Sequence, residues 1–452
     1  MTNVFLRATS RLRRWFVVGL GVKRWLLVML IGLAMLGLGI GYVLVQLYRN
    51  ADLPDIFYYL TLQFLPRLLR AVLFGGLGIA AFAIGFARFN ATLLDVARGN
   101  DRQPLIDKLW RQRIGAQGPR VVAIGGGHGL STLLRGLKPH TANITAIVTV
   151  ADDGGSSGRL RREYGVLPPG DFRMCIAALA DDESLVTQLF QYRFGDATQT
   201  GSPGGLSGHS FGNLFIAAMA GLTGSFETAV LESSRVVASQ GRILPSTLSD
   251  VTLCAEYARS PDAMREGPAR GESAIGRQGA QIDRVWLEPN NPPAFPDAVR
   301  AILDADIVTI GPGSLFTSVL PNVLVSGISD ALRRTTAPVV YICNVGTEPG
   351  ETEGFSVDDH VAVIERHIGR GIVDYVVAQS QLPAGHDAAG KPALVPPPTS
   401  TRAGSAAILA ADVADDASPD RHDARKLGEI VTGIIRGNKV APDATTHIHR
   451  AI

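Results

Sequence analysis

The chain has 452 residues, which fits one large α/β unit carrying an appendage. Its 43 basic and 41 acidic residues leave a formal charge of +2, so no global field marks it as a nucleic-acid binder. The cysteines, Cys175, Cys254 and Cys343, are too far apart for a metal knuckle and odd in number, which argues against a disulfide framework and for a reducing compartment.

From Trp25 to Leu47 no residue is charged. As a helix rising about 1.5 Å per residue, this run would cross the roughly 30 Å hydrocarbon layer. A second uncharged run, Ala71 to Ala87, is near the lower length limit. The two predict a transmembrane hairpin over residues 1–89. Arg7, Arg11, Arg13, Arg14, Lys23 and Arg24 precede it, and Arg88, Arg98, Arg102, Lys108, Arg111 and Arg113 follow it, which places both flanks in the cytoplasm of a multi-pass membrane protein. Residues 90–118 read as a polar, basic linker.

The body, residues 119–440, alternates apolar strand-like runs with helical patterns, and residues 441–452 form a tail. Strands are expected at Val121–Ile124, Ile144–Val150, Ile307–Ile310, Val339–Cys343 and Val373–Ala378, with a closing helix at Ala424–Arg436. The alternation implies βαβ units and a Rossmann-like parallel sheet, with ligand-facing loops after the strands.

The first strand runs into Gly125, Gly126, Gly127, His128 and Gly129 before a helix. Such a turn lets backbone amides approach phosphate, and the helix N-terminus adds partial positive charge. Leu130 stands where the third glycine of the dinucleotide fingerprint would be, and no P-loop occurs. The second strand is expected to end at Asp152 and Asp153, followed by Gly154, Gly155, Ser156 and Arg159. Paired carboxylates there could hold a ribose, a magnesium ion or a proton in transfer. Arg159 could pair with phosphate or lie on a solvated face.

Two stretches match GxSxG, Gly154–Gly158 and Gly208–Gly212. Neither has the strand-to-turn context of a hydrolase nucleophile. Ser210, Gly212 and Asn213 read instead as a helix N-terminus facing an anion. Gly311, Pro312, Gly313 and Ser314 follow a third strand; Asn344, Thr347, Glu348, Pro349, Gly350 and Glu351 follow a fourth. Repeated small or polar turns at successive strand ends suit a large cleft for a phosphorylated ligand.

With these motifs, and with Leu167–Asp171, Leu244–Thr247, Gly311–Asn322 and Cys343–His360, the stretch from about Arg120 to Arg436 resembles the YvcK/CofD family. The resemblance implies a Rossmann-like core that binds UDP-N-acetylglucosamine or a related UDP-sugar in the YvcK branch. It also implies a regulatory role in gluconeogenic growth, cell shape and cell-wall synthesis, with a cell-wall or regulatory protein partner and self-association as further expectations. The CofD branch implies instead a transferase that joins a phosphorylated C3 acid to a deazaflavin, with magnesium held where this chain has Asp152 and Asp153. The run Gly154–Arg159 is similar to the YvcK branch. Met174 and Phe316 depart from the Asn and Tyr that the family leads one to expect.

Overall fold

A computed structural model describes residues 118–195, 205–258, 268–276, 281–382, 393–435 and 437, with scattered positions between 33 and 84. The chain separates into two units, Met1–Ile114 and Gly115–Ile452. Among the described residues no single helix is long and apolar enough to cross a membrane, and the helix Leu68–Gly78 is a shorter apolar one. Most of the expected first span, part of the second, nearly all of the linker and the tail lie outside the described residues.

Eleven strands are described in the second unit. They are β1 (Val121–Gly125), β2 (Ile144–Val148), β3 (Arg242–Pro245), β4 (Thr252–Tyr257), β5 (Ala269–Arg270), β6 (Ile282–Glu288), β7 (Ile307–Ile310), β8 (Val339–Ile342), β9 (Tyr375–Gln379), β10 (Arg402–Ala403) and β11 (Ala406–Ala411). Eight form one sheet in the order β10-β11-β9-β8-β7-β1-β2-β3. Every pairing in it is parallel except β10 with β11. β1, β7 and β8 are buried along their whole length, as strands covered on both faces must be.

From β1 the chain winds outward through β2 to β3, then returns to begin β7 on the other side of β1. The connections after β1 and β7 therefore diverge, and a crevice opens at their carboxyl ends. Between β3 and β7 lies a small antiparallel sheet, β5-β4-β6, that the apolar pattern did not announce.

The helix Gly127–Leu137 follows β1 and buries Leu130, Leu133, Leu134 and Leu137, the i, i+3, i+4, i+7 spacing of one helical face. It packs on the closing helix, Ala424–Ile435. β2 ends at Val148, short of the expected Asp152. Beyond it the chain turns on its own side chains: Thr149 Oγ1 accepts from the Ala151 amide at 3.2 Å and Asp152 Oδ1 from the Gly154 amide at 2.8 Å. Such local acceptors compete with the strand ladder.

Candidate functional site

A cleft of about 510 Å³ occupies the crevice. One wall is the turn Gly126, Gly127, His128 and Gly129, continued along its helix by Thr132 and Arg135. Pro312, Gly313 and Ser314 face it from the loop after β7, and Ser318 from the helical turn Leu315–Val319 that follows. The loops approach closely: a β-carbon on Gly129 would lie 2.6 Å from the Pro312 carbonyl oxygen. Gly127 has φ +63°, a conformation that favours glycine.

The loop after β8 forms a third wall through Asn344, Val345, Gly346, Thr347, Glu348 and Pro349. Asn344 Oδ1 accepts from the Gly313 amide at 3.4 Å, tying the second and third walls together. Asp420, Arg421 and His422, from the segment after β11, supply a fourth. His422 Nε2 lies 3.1 Å from the Cys343 carbonyl. Burial pushes the His422 pKa down to about 4, so the ring is neutral and donates to that carbonyl.

Electrostatics favour an anion on the side of the cleft near His128. Burial, and then the charges of Arg421, Arg173 and Arg135, hold His128 below its ordinary pKa. Arg135 Nε donates to Glu183 at 2.5 Å, while Arg173 Nη1 donates to the Phe190 carbonyl at 3.2 Å. Near the third wall, burial raises the Glu348 pKa.

Asp152 and Asp153 do not line the cleft. They belong to a carboxyl cluster with Asp171 and Glu272 beside the Gly126 turn. A β-carbon on Gly126 would collide with Asp171 Oδ2. Burial and the charge of Asp152 raise the Asp171 pKa to about 7, opposed by a hydrogen bond from the Gly127 amide. That amide, expected to point at phosphate, is therefore engaged by Asp171. Burial and the charges of Asp152, Asp171 and Asp153 raise Glu272 to about 8.

Asp153 Oδ1 accepts from the Ser273 amide at 2.8 Å, at the start of the helix Glu272–Ile275. Its role in the fold is that of a cap. The oxygen donors of Asp152 and Glu272 suit magnesium, an ion commonly held by one or two carboxylates together with substrate phosphates. Among the described residues no group of three His, Cys, Asp or Glu side chains is arranged to hold a metal. The cluster therefore fits magnesium only where phosphate and water complete the shell.

The structure places Ser210, Gly212 and Asn213, expected as an anion site, at the start of the helix Phe211–Thr223. These residues are buried away from the cleft, and Ser210 Oγ accepts from the Asn213 amide at 3.4 Å. Asn213 Nδ2 donates to Ser156 Oγ at 3.1 Å, and Arg159 Nη2 to the Ser207 carbonyl at 2.8 Å. Gly154 and Gly155 begin the adjoining helix. The motifs after β2 and before Phe211 thus brace each other rather than face the cleft.

Gly125 and Gly311 end or follow their strands without lining the cleft. Gly350 and Glu351 open onto a separate depression of about 300 Å³. Phe316 is fully buried and meets Phe355 edge-on at 6.3 Å, so the apolar ring is packed at the position where the resemblance led to the expectation of a tyrosine. Thr132, Arg135, Ser318 and Asp420–His422 were absent from the sequence-derived set. Arg135 lies seven residues after His128, a helical repeat that could have placed it on the same face.

A parallel α/β sheet with its cleft at the strand-order reversal belongs to the class of folds that hold nucleotide-like ligands there. Residues 121–392 match the family described as 2-phospho-L-lactate transferase CofD, and the chain belongs to this YvcK/CofD family. A relative from Nostoc sp. is 48% identical over 388 residues, covering 84% of this chain and 82% of its own length. The gluconeogenesis factor of Bacillus subtilis is 47% identical over 266 residues, covering 59% of this chain and 80% of its own. A crystal structure of a protein from Bacillus halodurans superposes with a TM-score of 0.63 at 42% identity, covering 70% of this chain and 98% of its own.

Proposed function

We propose that the protein is a YvcK-like regulator that binds a UDP-sugar, UDP-N-acetylglucosamine or a close relative, in support of gluconeogenic growth, cell shape and cell-wall synthesis. The observation that carries this reading is the cleft of about 510 Å³ at the β1/β7 reversal, bounded by a glycine turn, a helix N-terminus and two arginines. That volume lies within the range of small-molecule sites, and the boundary offers several groups for a diphosphate. The gluconeogenesis factors among its relatives add to the case.

In this reading a two-span N-terminal hairpin tethers the domain to the cytoplasmic face of the membrane. Support comes from the uncharged runs with their basic flanks, and from exposed apolar side chains at Met35, Ile40, Val45, Leu68, Val72 and Leu77. Detergent rather than high salt should release the protein. Release by salt alone would contradict the tether.

The second reading is a CofD-like transferase, favoured by the carboxyl cluster beside Gly126. Asp152 with Glu272 would hold magnesium, whose chemistry is to neutralise charge on a reacting phosphate. Titration of the full chain with UDP-N-acetylglucosamine, followed by chromatography after prolonged incubation with magnesium, separates the readings. Saturable binding with intact sugar nucleotide is expected. Release of UMP, UDP or sugar in proportion to protein, abolished by Asp152→Asn, would establish an enzyme instead.

A further inference from the structure

We propose that the protein forms a two-fold symmetric dimer through the helices Glu183–Gln191 and Phe211–Thr223, whose adjoining apolar faces meet the same faces of a second copy of the chain. The inference is independent of which ligand the cleft holds.

The two helices are joined at one end and packed together. The Phe211 amide donates to the Tyr192 carbonyl at 2.8 Å, which ties the end of the first to the start of the second. Phe190 is buried against Phe211 and Phe215, with ring centroids 6.4 and 5.7 Å away. The surface that this packing leaves outside is also apolar. Leu185, Leu189 and Tyr192 follow the i, i+4, i+7 spacing of one helical face and are 62%, 47% and 57% exposed. On the second helix Gly212, Asn213, Ile216 and Ala220 are buried. Phe215, Ala218 and Leu222 recur at i, i+3, i+7 on the opposite face, with Leu222 81% exposed.

A solvated helix face ordinarily carries charge. The second helix has no charged residue and the first has only Glu183, which pairs with Arg135 and Lys138. At roughly 150–250 Å² for a large side chain, the exposed parts of Leu185, Leu189, Tyr192 and Leu222 amount to on the order of 500 Å². A homodimer interface that buries about 800 Å² per chain, about 65% of it apolar, contains that much apolar area.

Charge decides the partner. A helix that rests on lipid carries Lys and Arg for the anionic headgroups, and neither helix has one. An acidic or basic protein would find no complementary charge on either helix. A second copy of an uncharged face brings no like charges together, which a self-complementary two-fold contact requires.

The experiment measures dimer dissociation of the full chain in mild detergent by analytical ultracentrifugation, in the wild type, L189R/L222R, L189S/L222S and L382R. Leu382, an exposed leucine after β9, controls for a charge added elsewhere on the surface. A wild-type dimer at micromolar concentration is expected. L189R/L222R should be monomeric, and L189S/L222S should dissociate at least about tenfold more readily. Both should melt at the wild-type temperature, while L382R stays dimeric. If the arginine pair melts lower, the serine pair decides. A wild type that is monomeric at about 100 µM, or a serine pair within about twofold of the wild-type dissociation constant, overturns the proposal. L222C reports what covers the face, because Cys175, Cys254 and Cys343 are buried. Its protection from a water-soluble maleimide should rise with protein concentration. Protection that instead follows added phosphatidylglycerol vesicles at constant protein concentration would identify a lipid contact and overturn the dimer.

Discussion

Ser156 Oγ lies 2.9 Å from His209 Nδ1, joining the two glycine-serine motifs inside the protein. Asn213 Nδ2 donates to the same hydroxyl at 3.1 Å, so the serine proton points to the imidazole. His209 is held below its ordinary pKa, first by burial and then by Arg159, and accepts as a neutral ring. The trio bonds one helix start to another.

Ser156→Ala should accordingly cost stability rather than chemistry. It leaves the buried His209 imidazole without its partner and the Asn213 amide with only its 3.4 Å bond to Ser157 Oγ, a loss of about 1–3 kcal/mol, read as a lower urea midpoint. A fluorophosphonate probe should leave the wild-type chain unlabelled at Ser156. Stoichiometric labelling there would show a nucleophilic serine and overturn the structural role.

Asp171 makes stability depend on pH in a definite direction. Its folded pKa of about 7 stands above its ordinary 3.8, so between these values the folded state binds more protons than the unfolded one. The contribution is fully present below about pH 4 and is lost as pH rises through about 7. Glu272, raised to about 8 from 4.5, acts in the same sense. Asp171→Asn should flatten the decline in urea midpoint between pH 4.5 and 8, by a few kcal/mol at most. An unchanged slope would show that Asp171 titrates normally.

Gly129→Ala pits two effects against each other. Alanine in a helix gains about 0.5–1 kcal/mol over glycine, but here its β-carbon would lie 2.6 Å from the Pro312 carbonyl. Backbone cannot swing aside, and overpacking of this kind costs about 1–3 kcal/mol. Calorimetry should find a lower melting temperature and weaker ligand binding. A higher melting temperature would mean that the walls after β1 and β7 are less closely packed.

Asp152 and Asp153, adjacent in sequence, should separate on mutation. Asp153→Ala removes the acceptor for the Ser273 amide and should cost about 1 kcal/mol, as loss of a helix cap does, with UDP-sugar affinity intact. Asp152→Asn relieves the repulsion that raises Asp171 and Glu272, and should stabilise the chain at pH 8 while weakening any effect of magnesium on binding. Identical behaviour of the two variants in melting and titration would contradict this division.

Much of the fold was legible because parallel strands buried on both faces leave uninterrupted apolar runs. Ile307–Ile310 was placed with its observed bounds, and the starts of β1, β2 and β8 agree as well. Gly126–Gly129, Pro312–Ser314 and Asn344–Pro349 could be assigned to one cleft because loops after neighbouring parallel strands share an end of the sheet. Which strands are neighbours was decided only in three dimensions. The return to β7 beside β1 sets the crevice there, buries the Ser210–Asn213 segment away from it, and brings Arg421 to the cleft from nearly 300 residues beyond His128. The division between Asp152 and Asp153 arose in the same way, since a carboxylate's role depends on the amides and charges folded against it. Local pattern carries periodicity and turn chemistry; the partners of a charge come from distant parts of the chain.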